Sequence, residues 1–325
     1  MDLNTYQLAK LGTVYRWVPD PGYLLITGED QLSFLQRQTT NDLRLVLPAR
    51  AVLTILTSAT ARILDALTVF PAQGQAEPML ALLTLPGRQS HTVQFLRSRV
   101  FFMDRVEIQD ISQQYIQVDL LGPAAGSVLG SLGLPSPSAQ DDWSMGAFQG
   151  ASVQLFGQGV TLGLGCRLVI PSTLLQPLVN ALHQNGAQQC DEETYQVLRV
   201  EAGLPGTGAE LSEDYNPLEV GLASRISANK GCYTGQEIIA RQMNYDKVTR
   251  SLVGLRLESP AAPGSALKAD GKPAGEVTSA VVSPRLGPIA LGVVRRPHHE
   301  PGGTLTLEIA GTPVQATVSP LPFNL

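Results

Sequence analysis

Residues 229–242 read Asn-Lys-Gly-Cys-Tyr-Thr-Gly-Gln-Glu-Ile-Ile-Ala-Arg-Gln. One of the chain's three cysteines stands here, between a lysine and a stretch that reads as the start of a helix. Thr234 and Glu237 have capping-box spacing: the hydroxyl can accept the N–H three residues on, and the carboxylate can reach back to the threonine N–H. Cys232 then lies two residues before the N-cap, near the positive end of the helix dipole and two residues from Lys230. Both neighbours favour thiolate over thiol, so the sequence predicts a lowered pKa and a reactive or positioning role. The alternative is a small, buried, apolar cysteine.

The rest of the chain limits what this loop can serve. A length of 325 residues accommodates two or three domains with ample core. Hydrophobic content of 43% with 16% charge is that of a globular protein. A net charge of −5 argues against a general nucleic-acid-binding surface, so no direct nucleic-acid binding is expected. The N-terminus lacks the basic-then-apolar pattern of a signal peptide. The longest apolar runs, 51–56 and 79–85, are strand-sized and too short for a bilayer, so no membrane association is expected. Cys166, Cys190 and Cys232 are odd in number and far apart, which suggests reduced thiols and a cytoplasmic location.

Three textures follow one another. Over residues 1–110, short apolar runs alternate with helical patterns. A strand is expected at 23–27, then a helix capped by Thr27 with Leu32 and Leu35 inward, a strand pair at 51–57 and 63–70, and a helix at 87–100. Residues 111–250 repeat the mixture, with strands at 115–121 and 160–170. Ser172 and Asp191 are the expected caps of two helices, the second ending at Gly203. The two regions read as related α+β units. From 251 to 325 the pattern becomes alternating or β-branched with Asp-Gly and Gly-Gly turns, which predicts a small β-barrel or sandwich.

Within the helix at 191–203, Arg199 and Glu201 lie about 200° apart and cannot share a face. Glu201 falls on the apolar side, where a carboxylate is costly unless partnered. Two readings stay open: an internal partner such as Arg225, Arg241 or a backbone N–H, or a ligand with a flat two-donor edge such as a pterin.

Arg199-Val200-Glu201-Ala202-Gly203-Leu204-Pro205, then Pro217-Leu218-Glu219, then Lys230-Gly231-Cys232-Tyr233-Thr234-Gly235-Gln236-Glu237, together resemble the YgfZ family. This is the folate-binding, iron–sulfur-related branch of the aminomethyltransferase (glycine-cleavage T-protein) superfamily. Leu24–Gly28 with Thr40-Asn41-Asp42 is similar to its N-terminal pattern, and Gly275–Ser279 with Ile289–Gly292 to its C-terminal barrel. The resemblance implies a three-domain ring around a tetrahydrofolate channel. Glu201 would contact the pterin, Arg241 would sit near the folate, and Lys230, Tyr233 and Gln236 would help bind it. Cys232 would face the folate or an incoming partner. The implied role is maintenance of iron–sulfur client enzymes, including radical enzymes that methylthiolate tRNA.

One departure matters. True aminomethyltransferases carry two adjacent aspartates where this chain has Asp65-Ala66, so Asp65 is retained and its neighbour is not. Asp65 is thus either a candidate catalytic carboxylate for one-carbon transfer or a turn or strand-edge residue. The four histidines have no evident orienting partner, against a cysteine hydrolase. No Cys-x-x-Cys or His/Cys cluster suggests a zinc or four-cysteine site, so no resident metal is expected.

Overall fold

The structure is a computed structural model and describes residues 1–46, 50–72, 79–137, 139, 141–157 and 165–323. The chain opens with α1 (Leu3–Leu11), capped by the Asp2 carboxylate, which accepts the N–H groups of Asn4 and Thr5. A short strand, β1 (Val14–Trp17), follows. The first sheet is then built from β2 (Gly22–Thr27), β3 (Val52–Thr57), β4 (Ile63–Ala72), β5 (Met79–Thr84) and β6 (Glu107–Asp110), in the order β3-β4-β5-β2-β6. Helices α2 (Gln31–Gln38) and α3 (Gln89–Arg97) cover one face. Phe34, Leu35, Val93 and Leu96 pack there on Leu24, Ile26, Leu67 and Leu82. Alternation along β2 sends Tyr23 to the opposite face.

The second unit carries β7 (Tyr115–Leu121), α4 (Ala125–Ser131), β8 (Trp143–Phe148), β9 (Ala151–Phe156), β10 (Gly165–Pro171), α5 (Leu175–Gln184), β11 (Gln188–Gln189) and α6 (Glu192–Glu201). Its sheet has the order β11-β1-β7-β10-β9-β8. Strand β1 pairs antiparallel with β7, Val14 opposite Leu121, and parallel with β11. The expected first unit of 1–110 therefore begins too early: α1 and β1 belong with the second sheet. Trp143, Phe156 and Val169 meet Tyr23, Phe70 and Leu83 in an apolar cluster that joins the two units.

Helix α7 (Gln236–Asn244) leads into β12 (Arg250–Leu257), β13 (Ala266–Ala269), β14 (Lys272–Ser283), β15 (Gly287–Arg295), β16 (Thr304–Ile309) and β17 (Thr312–Ser319). These strands close into a barrel in the order β12-β15-β14-β13-β16-β17. Along β16, Leu305 and Leu307 point inward while Thr304, Thr306 and Glu308 face solvent. Closure leaves the barrel no open sheet edge. The chain is thus α+β, with two α+β units and a closed six-stranded barrel, as expected.

Local capping follows the sequence less well. Asp191 does cap α6, its carboxylate accepting the Thr194 N–H at 2.6 Å. Thr27 is not the cap of α2: the helix begins at Gln31 behind Asp30, whose carboxylate accepts the Arg105 N–H instead. Leu32 is exposed, and Phe34 joins Leu35 inside. Ser172 sits in a 3-10 turn, and α5 starts at Leu175. Residues 160–164 of the strand expected at 160–170 lie outside the described residues, and the remainder forms β10.

Candidate functional site

The Cys232 loop is pinned to the first unit at both ends. At its start, the Lys230 ammonium donates to the carbonyl oxygens of Thr39 and Asn41, each at 2.6 Å. Just upstream, the Ser227 N–H donates to the Thr40 carbonyl, and the Thr40 hydroxyl donates to the Arg225 carbonyl at 2.8 Å. At its end, the Thr234 N–H donates to the Arg37 carbonyl. The Thr57 hydroxyl donates to the Thr234 carbonyl at 2.6 Å. Gly235 has φ +84°, and a Cβ there would stand 2.7 Å from the Ser58 carbonyl oxygen. Both the left-handed backbone and the close approach to the β3–β4 turn require glycine. Between these anchors Gly231 and Cys232 are exposed and Tyr233 is half-buried.

The expected capping box is not formed. Gly235 is the N-cap of α7 and carries no side chain to cap with. The Thr234 hydroxyl points to Gln38 rather than to Glu237. The Tyr233 N–H donates to the Gln236 side-chain oxygen at 3.1 Å, so the glutamine makes the backward bond expected of Glu237. The Lys230 ammonium, expected beside the thiol, is spent on two carbonyls. Burial pushes its pKa down to about 8. Its ammonium also lies 5.3 Å from the Tyr233 ring centroid. Lys230, Tyr233 and Gln236 therefore shape and hold the loop.

Glu201 lies elsewhere. It is 1% exposed at the end of α6. One carboxylate oxygen accepts the hydroxyls of Tyr6 and Ser283, both at 2.6 Å, and the other accepts the Lys10 ammonium at 2.5 Å. Of the two readings left open, an internal partner is what the structure holds, but from α1 and β14. Arg225, one of the expected partners, donates through one terminal nitrogen to both Asp141 oxygens instead. Arg199 is buried too, bonded to Glu210, the Leu204 carbonyl and the Ser279 hydroxyl. Helix α6 thus buries opposite sides, tying α1 and the barrel to the second unit.

Asp65 is interior to the first unit and wholly buried. It is neither at a turn nor at a strand edge. Its oxygens accept the N–H groups of Ala66 and Leu85 and the Thr92 hydroxyl. Burial nonetheless pushes the carboxyl pKa up to about 7, against the pull of those donors. The group links β4 to the end of β5 and to α3. Arg241 is exposed on α7, with no ion pair among the described residues. No hydrogen bond among the described residues joins Glu201 or Asp65 to the Cys232 loop, so the expected constellation divides into three neighbourhoods.

The other two thiols, Cys166 and Cys190, are buried, and burial pushes each up to about 12. Among the described residues no cluster of His, Cys, Asp or Glu is placed to hold a metal ion, and no helix is long and apolar enough to cross a membrane. Sequence reasoning missed a cavity of about 260 Å3 between the units, bounded by Arg16, Pro86, Gly87, Tyr195, Arg199 and Thr207. The Arg16 guanidinium lies 3.4 Å from the Tyr195 ring centroid and binds Asp119, which Arg167 also holds. These partners come from strands and helices far apart in sequence, so no local signal marked them.

Residues 21–230 match the GCVT N-terminal domain, and residues 250–324 match the glycine cleavage T-protein C-terminal barrel domain. A relative from Arabidopsis thaliana, named "Putative transferase At1g60990, chloroplastic", is 32% identical over 311 residues, covering 93% of this chain and 69% of its own length. An aminomethyltransferase of Geobacillus sp. (strain WCH70) is 28% identical over 316 residues, covering 93% of this chain and 84% of its own. The crystal structure of glycine cleavage system aminomethyltransferase T from Bartonella henselae superposes with a TM-score of 0.87 over 99% of this chain and 89% of that one. At 22% identity, that likeness speaks for the fold. With both matched domains filled by the sheets and barrel described above, the chain belongs to the GCVT family of aminomethyltransferase-like proteins.

Proposed function

We propose that this chain is a tetrahydrofolate-binding protein of the YgfZ branch that assists assembly, repair or maintenance of iron–sulfur enzymes, including those that modify tRNA. The observation that carries the reading is the exposed Cys232 on a loop tethered at Lys230 and Thr234. A fixed backbone with a solvent-facing thiol suits repeated encounter with a partner protein, and the other two thiols are inaccessible. For the folate we assign the cavity beside Arg16, Tyr195 and Arg199, whose size suits the ring portion of the ligand. Arg241, exposed on α7, is not among the residues that line this cavity, so the folate contact that the resemblance implies for it is not part of this assignment.

Two measurements test this. Calorimetric titration with tetrahydrofolate should show saturable binding that a Thr207→Trp variant, filling the cavity, abolishes. In cells lacking the chain, Cys232→Ser should fail to restore client-enzyme activity while still binding folate when purified. Full restoration by the serine variant would remove the thiol from the mechanism.

A second reading, a folate-dependent aminomethyl or other one-carbon transferase using Asp65, is favoured by the relatives named aminomethyltransferase. It requires ammonia and methylene-tetrahydrofolate to appear when the protein meets tetrahydrofolate and an aminomethylated lipoyl carrier. Folate binding without turnover removes it.

A further inference from the structure

A second cleft, of about 590 Å3, belongs to no single element: the β3–β4 connection, the segment around Asn216 and Glu219, α7 and the ends of the barrel strands β12 and β15 all contribute to it. Its lining holds four arginines, Arg62, Arg250, Arg295 and Arg296, against one carboxylate, Glu219. Four positive charges less Glu219 and the Asp246 carboxylate that Arg296 meets leave an excess of two, in a chain whose net charge is −5. The concentration is therefore local and not a reflection of overall composition.

Two of the arginines have a structural use. Arg250 binds both Glu219 oxygens, at 2.7 and 3.3 Å, and the Asp214 carbonyl. Arg62 reaches the same carboxylate and the same carbonyl through one terminal nitrogen. The remaining two have no such use. The one ion pair of Arg296 among the described residues is with Asp246, a carboxylate 79% exposed, a pairing that water and salt weaken. Arg295 has no ion pair among the described residues. Each guanidinium carries five N–H donors, so most of the donors in the cleft are unspent. Like charges gathered in one concavity repel each other unless an anion joins them.

We propose that this cleft binds a small molecule through a phosphate group, most suitably a phosphate ester. Arginine forks match phosphate oxygens two at a time, and several forks converging on one volume suit a dianion better than a single carboxylate. The side chain of Gln242 adds a neutral donor, and Ile238 supplies an apolar wall for the organic part of an ester. A volume of about 590 Å3 takes a small molecule and not a nucleic-acid strand. The proposal does not depend on folate binding, and none of its residues lines the folate cavity or tethers the Cys232 loop.

The test is calorimetric titration of the full chain with pyrophosphate, with tri-glutamate as the carboxylate counterpart. Pyrophosphate should bind saturably, and an Arg295→Ala/Arg296→Ala variant should weaken it at least tenfold while leaving tetrahydrofolate titration unchanged. Because Thr249 is an exposed lining residue, Thr249→Glu offers an independent check: a carboxylate placed in the cleft should produce a similar loss. Absence of pyrophosphate binding at millimolar concentration overturns the proposal, as does unchanged affinity in both variants. Tri-glutamate binding as tightly as pyrophosphate overturns the choice of phosphate, because the cleft would then read charge alone.

Discussion

Replacing Glu201 separates its two candidate roles. In the folded chain its carboxylate receives the Tyr6 and Ser283 hydroxyls and the Lys10 ammonium. In Glu201→Ala the two buried hydroxyls lose their acceptor, and an orphaned buried polar group costs about 1–3 kcal/mol. Lys10, 25% exposed along its side chain, can recover part of its loss by hydration. The sum is about 3–5 kcal/mol, the range for breaking a buried ion pair from one side. At roughly 2 °C per kcal/mol for a long chain, the melting midpoint falls by about 6–10 °C. Glu201→Gln keeps an acceptor for the hydroxyls and loses only the charge toward Lys10, so it should cost about 1–3 kcal/mol. Thermal unfolding with Lys10→Met as the second arm of a double-mutant cycle checks the pairing, and non-additivity of 0.5 kcal/mol or more is expected for groups in contact, on the order given for such pairs. A shift below about 2 °C in Glu201→Ala, which at that slope is about 1 kcal/mol, would refute the bracing role. Loss of tetrahydrofolate affinity without loss of stability would return Glu201 to the pterin.

Gly235→Ala should destabilise by about 1–3 kcal/mol, because alanine meets both the positive φ and the Ser58 carbonyl; urea denaturation reads it, and a neutral result contradicts the tethered loop. Cys232→Ser should stay within about 0.5 kcal/mol of the parent while removing the one thiol that a maleimide labels in the folded state. Asp65 carries a pH signature. Its folded pKa, about 7, lies above the ordinary 3.8, so the folded state holds the proton more tightly. Its contribution to stability is full below pH 3.8 and declines as pH rises toward 7, and an Asp65→Asn variant should lack that decline in denaturation measured across the range. Lys230 acts oppositely. With a folded pKa near 8 against 10.5, it favours the fold more as pH rises between those values, a slope that Lys230→Met should erase.

Much of the architecture was legible because its causes are local. Alternation over a few residues marks β7 and β16, the pair β3 and β4 needs only a short turn, and Asp191 caps its helix through an N–H three residues away. The motif at 229–242 pointed to a constrained loop with a thiol in it, and that loop is present. The same local reasoning misassigned its details. A capping box was read from spacing, but the backbone turns left-handed at Gly235 because the β3–β4 turn presses against it, and the first helical residue moves past the threonine.

Sequence alone determined the α+β class, the barrel and the identity of the cysteine loop, since periodicity and turn chemistry act within one element. Tertiary structure decided the rest. It sent β1 into the second sheet, gave Lys230 partners 191 and 189 residues away, and gave Glu201 partners 195, 191 and 82 residues away. It also buried Asp65 beneath α3 and gathered four arginines into one cleft. A charged side chain takes its role from the donors and acceptors that packing brings to it, and those arrive from surfaces whose meeting no local pattern records.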